Sequence, residues 1–182
     1  MALIQASDCA LVLVDYQRRL LPAIHQSAAV LARAVLLADG ARALGVPVYG
    51  TEQNPGGLGL GDETIRSRCD RILPKMHFNA CADGLSDLLL SSSGEPAKET
   101  VIAGCEAHVC LLQTAIGLLQ AGFRVWVVAD ASGSRLAENH ALAMQRLLQC
   151  GATIVSAEMV VFEWMRSCEH PHFRQLLAML KR

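Results

Sequence analysis

A chain of 182 residues that is 52% hydrophobic and 18% charged can bury one sizeable core, and it is too apolar to be disordered. A net charge of -1, scattered basic residues and 4% aromatics exclude a general nucleic-acid or anionic-membrane surface and a base-stacking platform. Seven cysteines, an odd number with no C-x-x-C or finger spacing, exclude a zinc site and read as free thiols of a cytoplasmic protein.

The first element is Cys9-Ala-Leu-Val-Leu-Val14, a continuous apolar run of the kind found in parallel strands covered on both faces. No basic leader precedes it, and no apolar run nears the ~18 residues of a membrane span. Asp15 ends the run, where open α/β sheets bind ligands; a capping or turn role is its alternative. Residues 26–44 form a helix, with Val30, Ala34, Leu37, Ala41 and Leu44 along one face. Gly45 closes it, and a strand follows from Val46 to Gly50. The same punctuation recurs at Gly122, before a strand over Phe123 to Ala129, and at Gly151, before one over Ala152 to Ser156. Helices that close on glycine just before a strand predict repeated αβ units, a parallel sheet and right-handed crossovers.

Thr51 to Gly61 reads as a loop over a pocket. Its glycines at 56, 57, 59 and 61 fit neither the dinucleotide fingerprint nor a P-loop. Glu52 and Gln53, just past the second strand, face the ligand in this reading. A third strand runs from Arg71 to Asn79 and carries Lys75 among apolar neighbours, where burial shifts an ammonium unless an anion is near. His77 reads as a packed or surface side chain. A short helix spans Asp83 to Leu90, and Ser91 to Pro96 is a polar surface loop.

Thr100-Val-Ile-Ala-Gly-Cys-Glu-Ala-His-Val-Cys110 is the centre of the chain: a buried strand over Val101 to Ala103, a turn at Gly104, and a helix opening near Cys110. A thiol there meets the positive end of the helix dipole, which lowers its pKa from about 8.5 toward neutrality. Free N–H groups of the same turn suit an oxyanion. A small apolar core residue is the other reading of Cys110. Asp130 reads as a turn or cap residue, Ala137 to Leu148 as a helix, and Met159 to Trp164 and Phe173 to Leu180 as amphipathic helices covering the sheet edge or a partner subunit.

Val14-Asp-Tyr-Gln17, Pro74-Lys75 and Gly104-Cys-Glu-Ala-His-Val-Cys110, in this order, resemble the isochorismatase-like hydrolase family of cysteine hydrolases over nearly the whole chain. Thr51-Glu-Gln-Asn-Pro, Gly57-Leu-Gly and Asp130-Ala-Ser-Gly-Ser-Arg135 resemble its isochorismatase domain-containing branch. The resemblance implies a single domain over residues 1–182 with a three-layer α/β/α, Rossmann-like fold and a parallel sheet of about six strands. It implies a catalytic triad of Asp15, Lys75 and Cys110, a cis peptide at Cys105–Glu106, and an oxyanion hole from the N–H groups of Glu106 and Cys110. Gln17, Glu52, Gln53 and Phe78 are the expected substrate-binding set. The reaction implied is cleavage of a small amide or related acyl compound through a thioester. Vinyl-ether hydrolysis, or a non-catalytic or redox-sensing scaffold, are the alternatives. Nicotinamidases of the superfamily hold a metal through an Asp-x-His pair and another histidine. Thr51-Glu-Gln-Asn has no histidine, so no metal and no cofactor are expected. Glu106 either repels anionic substrates or points to solvent. The partners expected are a small-molecule substrate and further copies of the chain, as a dimer or tetramer, with neither nucleic acid nor membrane.

Overall fold

The computed structural model describes residues 3–90 and 99–181. Its strands are β1 (Cys9–Val14), β2 (Val48–Gln53), β3 (Arg71–Lys75), β4 (Glu99–Gly104), β5 (Arg124–Val128) and β6 (Thr153–Val155). All adjacent pairs are parallel, and the spatial order is β3-β2-β1-β4-β5-β6. The helices are α1 (Ser27–Ala43), the single turns α2 (Pro55–Leu58) and α3 (Glu63–Arg66), then α4 (Leu85–Leu90), α5 (Leu112–Gln120), α6 (Ala137–Gln149), α7 (Ala157–Met165) and α8 (Phe173–Leu180). The expected Ser91–Pro96 loop lies outside the described residues.

The strand period of two divides the core. Cys9, Leu11 and Leu13 of β1 pack with Ala34, Leu37 and Trp164 in the layer of α1 and α7. Ala10, Val12 and Val14 face the other way, onto Leu111, Ala115 and Leu147 in the layer of α5 and α6. With helices on both faces, every residue of β1 and β4 is buried. The three layers match the expected α/β architecture. Gly45 closes α1 at φ 72°, a left-handed conformation that a side chain resists, and this is why a glycine stands at the helix end.

The strand order reverses between β1 and β4, which creates a crevice at their carboxyl ends. There the two backbones nearly touch. A Cβ on Gly104 would lie 2.4 Å from the Val14 carbonyl oxygen, so only glycine fits.

The second strand differs from its expected span. It starts two residues later than Val46 and continues through Thr51-Glu52-Gln53, where a loop is expected from sequence. The three side chains are polar yet buried, because they take partners from neighbouring strands and loops. The third strand ends at Lys75, so Met76 to Asn79 lie beyond it.

Candidate active site

Asp15 leaves β1 with φ 55°, and its side chain is fully buried. Its Oδ1 accepts from the Thr51 hydroxyl at 2.6 Å. Its Oδ2 has the Lys75 ammonium at 2.8 Å but no hydrogen bond of good angle, which leaves a buried lone pair uncommitted. Lys75 comes from the end of β3, two strands away, and its side chain is as buried as that of Asp15. The isolated cost of burying such an ammonium is offset by the carboxylate and by three further acceptors: Gln53 Oε1 at 2.5 Å, His77 O at 3.3 Å and Phe78 O at 3.5 Å.

Cys110 reaches the same point from β4. A π-type turn over Ala107–Leu111 precedes α5, closed by donation from the Val109 and Leu111 amides to the Glu106 carbonyl. The Cys105–Glu106 peptide is cis, and the Glu106 N–H has no acceptor among the described residues. The turn is braced against residues 131–134. Ala107 N–H donates to Gly133 O at 2.7 Å, His108 Nδ1 lies 2.9 Å from Ser134 Oγ, and Tyr16 OH donates to Ala131 O at 2.5 Å. The Cys110 thiol, on a residue only 6% exposed, donates to Gln53 Oε1 at 3.8 Å. Asp15 and Lys75 are its other polar neighbours.

The helix-end argument fails for this thiol. Burial pushes the Cys110 pKa up to about 12, and the Asp15 carboxylate adds to the rise. Lys75 pulls the other way without reversing it. A thiol placed against a carboxylate inside the protein is a proton donor at neutral pH.

Of the expected substrate-binding residues, only Gln53 reaches Asp15, Lys75 or Cys110 with its side chain. Gln17 is fully buried and works as a clamp: Nε2 donates to Gln53 O at 3.0 Å and Gly59 O at 2.6 Å, while Oε1 accepts from Gln53 N–H at 2.8 Å. Strand alternation turns Glu52 to the opposite face from Thr51 and Gln53, where it pairs with Arg66 and accepts from Gly61 N–H at 2.7 Å. Phe78 is 51% exposed, and it is its carbonyl that bonds Lys75. The Glu106 carboxylate neither stands alone nor points freely to solvent; it accepts from Arg135 Nε at 2.6 Å. His77 is exposed and paired with Asp83. Asp130 accepts from Ala157 N–H at 2.8 Å, at the start of α7. It lines a separate cavity of about 350 Å³, with His25, Arg33 and His140, that contains none of Asp15, Lys75 and Cys110.

Sequence reasoning missed the role of Thr51. Extending the second strand by three residues would have put Thr51 and Gln53 on one face, beside Asp15. Among the described residues no three His, Cys, Asp or Glu side chains are grouped as metal ligands would be.

Known proteins share this architecture. The family model described as the isochorismatase domain matches residues 9–159. Isochorismatase domain-containing protein 1 of Danio rerio is 34% identical over 168 residues, 92% of this chain and 59% of that protein. The chain thus spans about three fifths of that relative's length. Isochorismatase domain-containing protein 2 of the same organism is 32% identical over 175 residues, covering 93% of this chain and 85% of the relative. Among solved structures, one described as MAR1 ribonuclease from Caenorhabditis elegans has a TM-score of 0.92 at 29% identity, covering 100% of this chain and 93% of that one. The YcaC gene product of Escherichia coli, described as an octameric hydrolase of unknown specificity, shares the fold at a TM-score of 0.84 and 24% identity, covering 100% and 97%. Family model, relatives and fold agree: this chain belongs to the isochorismatase family.

Proposed function

We propose that the chain is a cysteine hydrolase that cleaves a small amide or related acyl compound through a thioester on Cys110. The observation that carries this reading is the buried Asp15–Lys75 pair, with an uncommitted Asp15 Oδ2, next to a thiol held as a proton donor. A fully buried ion pair is weak evidence for stability and better explained by chemistry.

The steps follow from the charges. Asp15 Oδ2 takes the Cys110 proton as sulfur bonds to the acyl carbon; with so high a thiol pKa, the proton leaves as the bond forms. The carbonyl oxygen becomes the oxyanion and is held by the N–H groups of Glu106 and Cys110. Asp15 then protonates the leaving nitrogen, the C–N bond breaks and a thioester remains. A water gives its proton to Asp15 and attacks the thioester; the acid departs and sulfur recovers the proton. Lys75 balances Asp15 throughout, and no metal or cofactor enters. The assembly is read as a homo-oligomer, and the location as cytoplasmic. No helix among the described residues is long and apolar enough to cross a membrane.

The test is acid release from a panel of small amides and carbamoyl compounds, with the acyl group trapped on Cys110 and identified by mass spectrometry. Turnover that survives in Cys110→Ala would overturn the mechanism. The name of the Caenorhabditis elegans structure raises RNA as a rival substrate. Net charge of -1 and a site built on a buried ion pair speak for a small substrate. RNA cleavage by the purified chain, lost with Cys110, would replace the amide reading.

A further inference from the structure

Lys75 has three hydrogens to donate. Four oxygens already surround it: Asp15 Oδ2 at 2.8 Å, Gln53 Oε1 at 2.5 Å, His77 O at 3.3 Å and Phe78 O at 3.5 Å. Asp15 Oδ2 aside, three oxygens accept from its three hydrogens, so a thiolate at Cys110, though it neighbours the ammonium, must compete for one of them. To serve the sulfur it must give up an oxygen; besides the Asp15 carboxylate, the one that also touches the sulfur is Gln53 Oε1.

The Gln53 amide is locked in this orientation. Its Nε2 donates to Met76 O at 2.8 Å. A flipped amide would set its NH2 against the ammonium and its oxygen against a carbonyl, two repulsive contacts. Gln17 fixes the backbone on both sides, accepting from Gln53 N–H and donating to Gln53 O. Oε1 thus presents one fixed acceptor to two donors, the ammonium and the thiol. It bonds the S–H form of Cys110 and repels the thiolate.

We propose that Gln53 is a positioning residue that keeps Cys110 as a neutral thiol at rest, by holding the Lys75 hydrogen a thiolate would need. This rests on Cys110 being the nucleophile. It adds that the charge state of the nucleophile is set from β2, by a residue two positions beyond the partner of Asp15, and not by the helix that carries the thiol. The resting site is then protected from stray electrophiles and activates only as Asp15 removes the proton.

The experiment is the pH dependence of iodoacetamide labelling at Cys110, followed by peptide mass spectrometry against a Cys110→Ala blank. Gln53→Met removes the acceptor and frees the ammonium. The labelling midpoint should fall by about one pH unit, so that labelling below the midpoint is about tenfold faster. Gln53→Glu keeps the acceptor and adds a charge that competes harder for Lys75, so its midpoint should rise. Opposite shifts support the proposal. An unmoved midpoint in Gln53→Met, or shifts of one sign in both variants, overturns it. Should Gln53→Met not fold, Gln53→Ala, which also removes the acceptor, is labelled in its place, with the same fall expected and an unmoved midpoint overturning the proposal. Labelling needs no substrate, so the role of Gln53 is tested even in a chain that hydrolyses no amide. Turnover surviving in Cys110→Ala would count against the hydrolase mechanism and leave the two midpoints readable.

Discussion

Two buried carboxylates stand at opposite ends of the same sheet, and they are built differently. Glu99 opens β4 at the amino end, where it pairs in register with Cys9. One of its oxygens pairs with Arg124, whose side chain is 53% exposed, and the other accepts from Trp126 Nε1 at 3.1 Å. Both oxygens are satisfied, and the cation stays hydrated. Asp15 lies at the carboxyl end in a left-handed conformation, its cation wholly buried and one oxygen without a well-angled hydrogen bond. The amino-end pair is arranged to hold strands together. The carboxyl-end pair tolerates strain and an open acceptor, as the proton transfer proposed for Asp15 requires.

The largest effects should fall at the carboxyl end. Asp15→Asn and Cys110→Ala should each lower kcat at least ~10³-fold in the acid-release assay. A loss of less than tenfold in Asp15→Asn would erase the contrast with Glu99. Lys75→Met strands Asp15 in the interior and should cost about 3–5 kcal/mol in urea unfolding. Glu99→Gln leaves Arg124 hydrated and Trp126 still bonded, and should cost about 1–2 kcal/mol with kcat unchanged. A fall in kcat there would merge the two ends into one device. Arg135→Ala releases Glu106 from an exposed partner and should cost under about 1 kcal/mol, read as a small shift in Tm.

Acidity sharpens the same contrast through the buried thiols. Burial pushes Cys9, at the amino end, and Cys105 and Cys110, at the carboxyl end, up to about 12. The unfolded chain ionises its thiols near their ordinary value of 9.0. Above that pH the unfolded state binds fewer protons than the native one, so stability is intact below pH 9 and declines as pH rises toward 12. Cys9→Ala should flatten that decline in urea midpoints without touching the pH profile of labelling at Cys110. A Cys9 variant that moves the labelling profile would tie the two ends together.

Much of this is legible in the sequence. The run Cys9–Val14 is the first strand as expected, and glycines at 45, 122 and 151 mark where helices give way to strands. The order of the strands is not readable, because the long passage from β3 back to β4 looks locally like any other crossover. Thr51-Glu52-Gln53 looks like loop because its polarity fits loop chemistry. Its burial depends on Asp15, Gln17, Arg66 and Lys75, residues distant in the chain. The acidity of Cys110 is misjudged from sequence for the same reason. The helix end is a local signal, while the carboxylate and the enclosure that override it come from other strands.

Gly104 carries one more consequence. With the Val14 carbonyl filling the place where its Cβ would stand, no side chain separates β1 from β4 at the crevice. The spacing of β1 and β4, from which Asp15 and the turn to Cys110 depart, is therefore measured out in main-chain atoms. A single methyl group at residue 104 would wedge the strands apart and silence the proposed site, which that residue never touches.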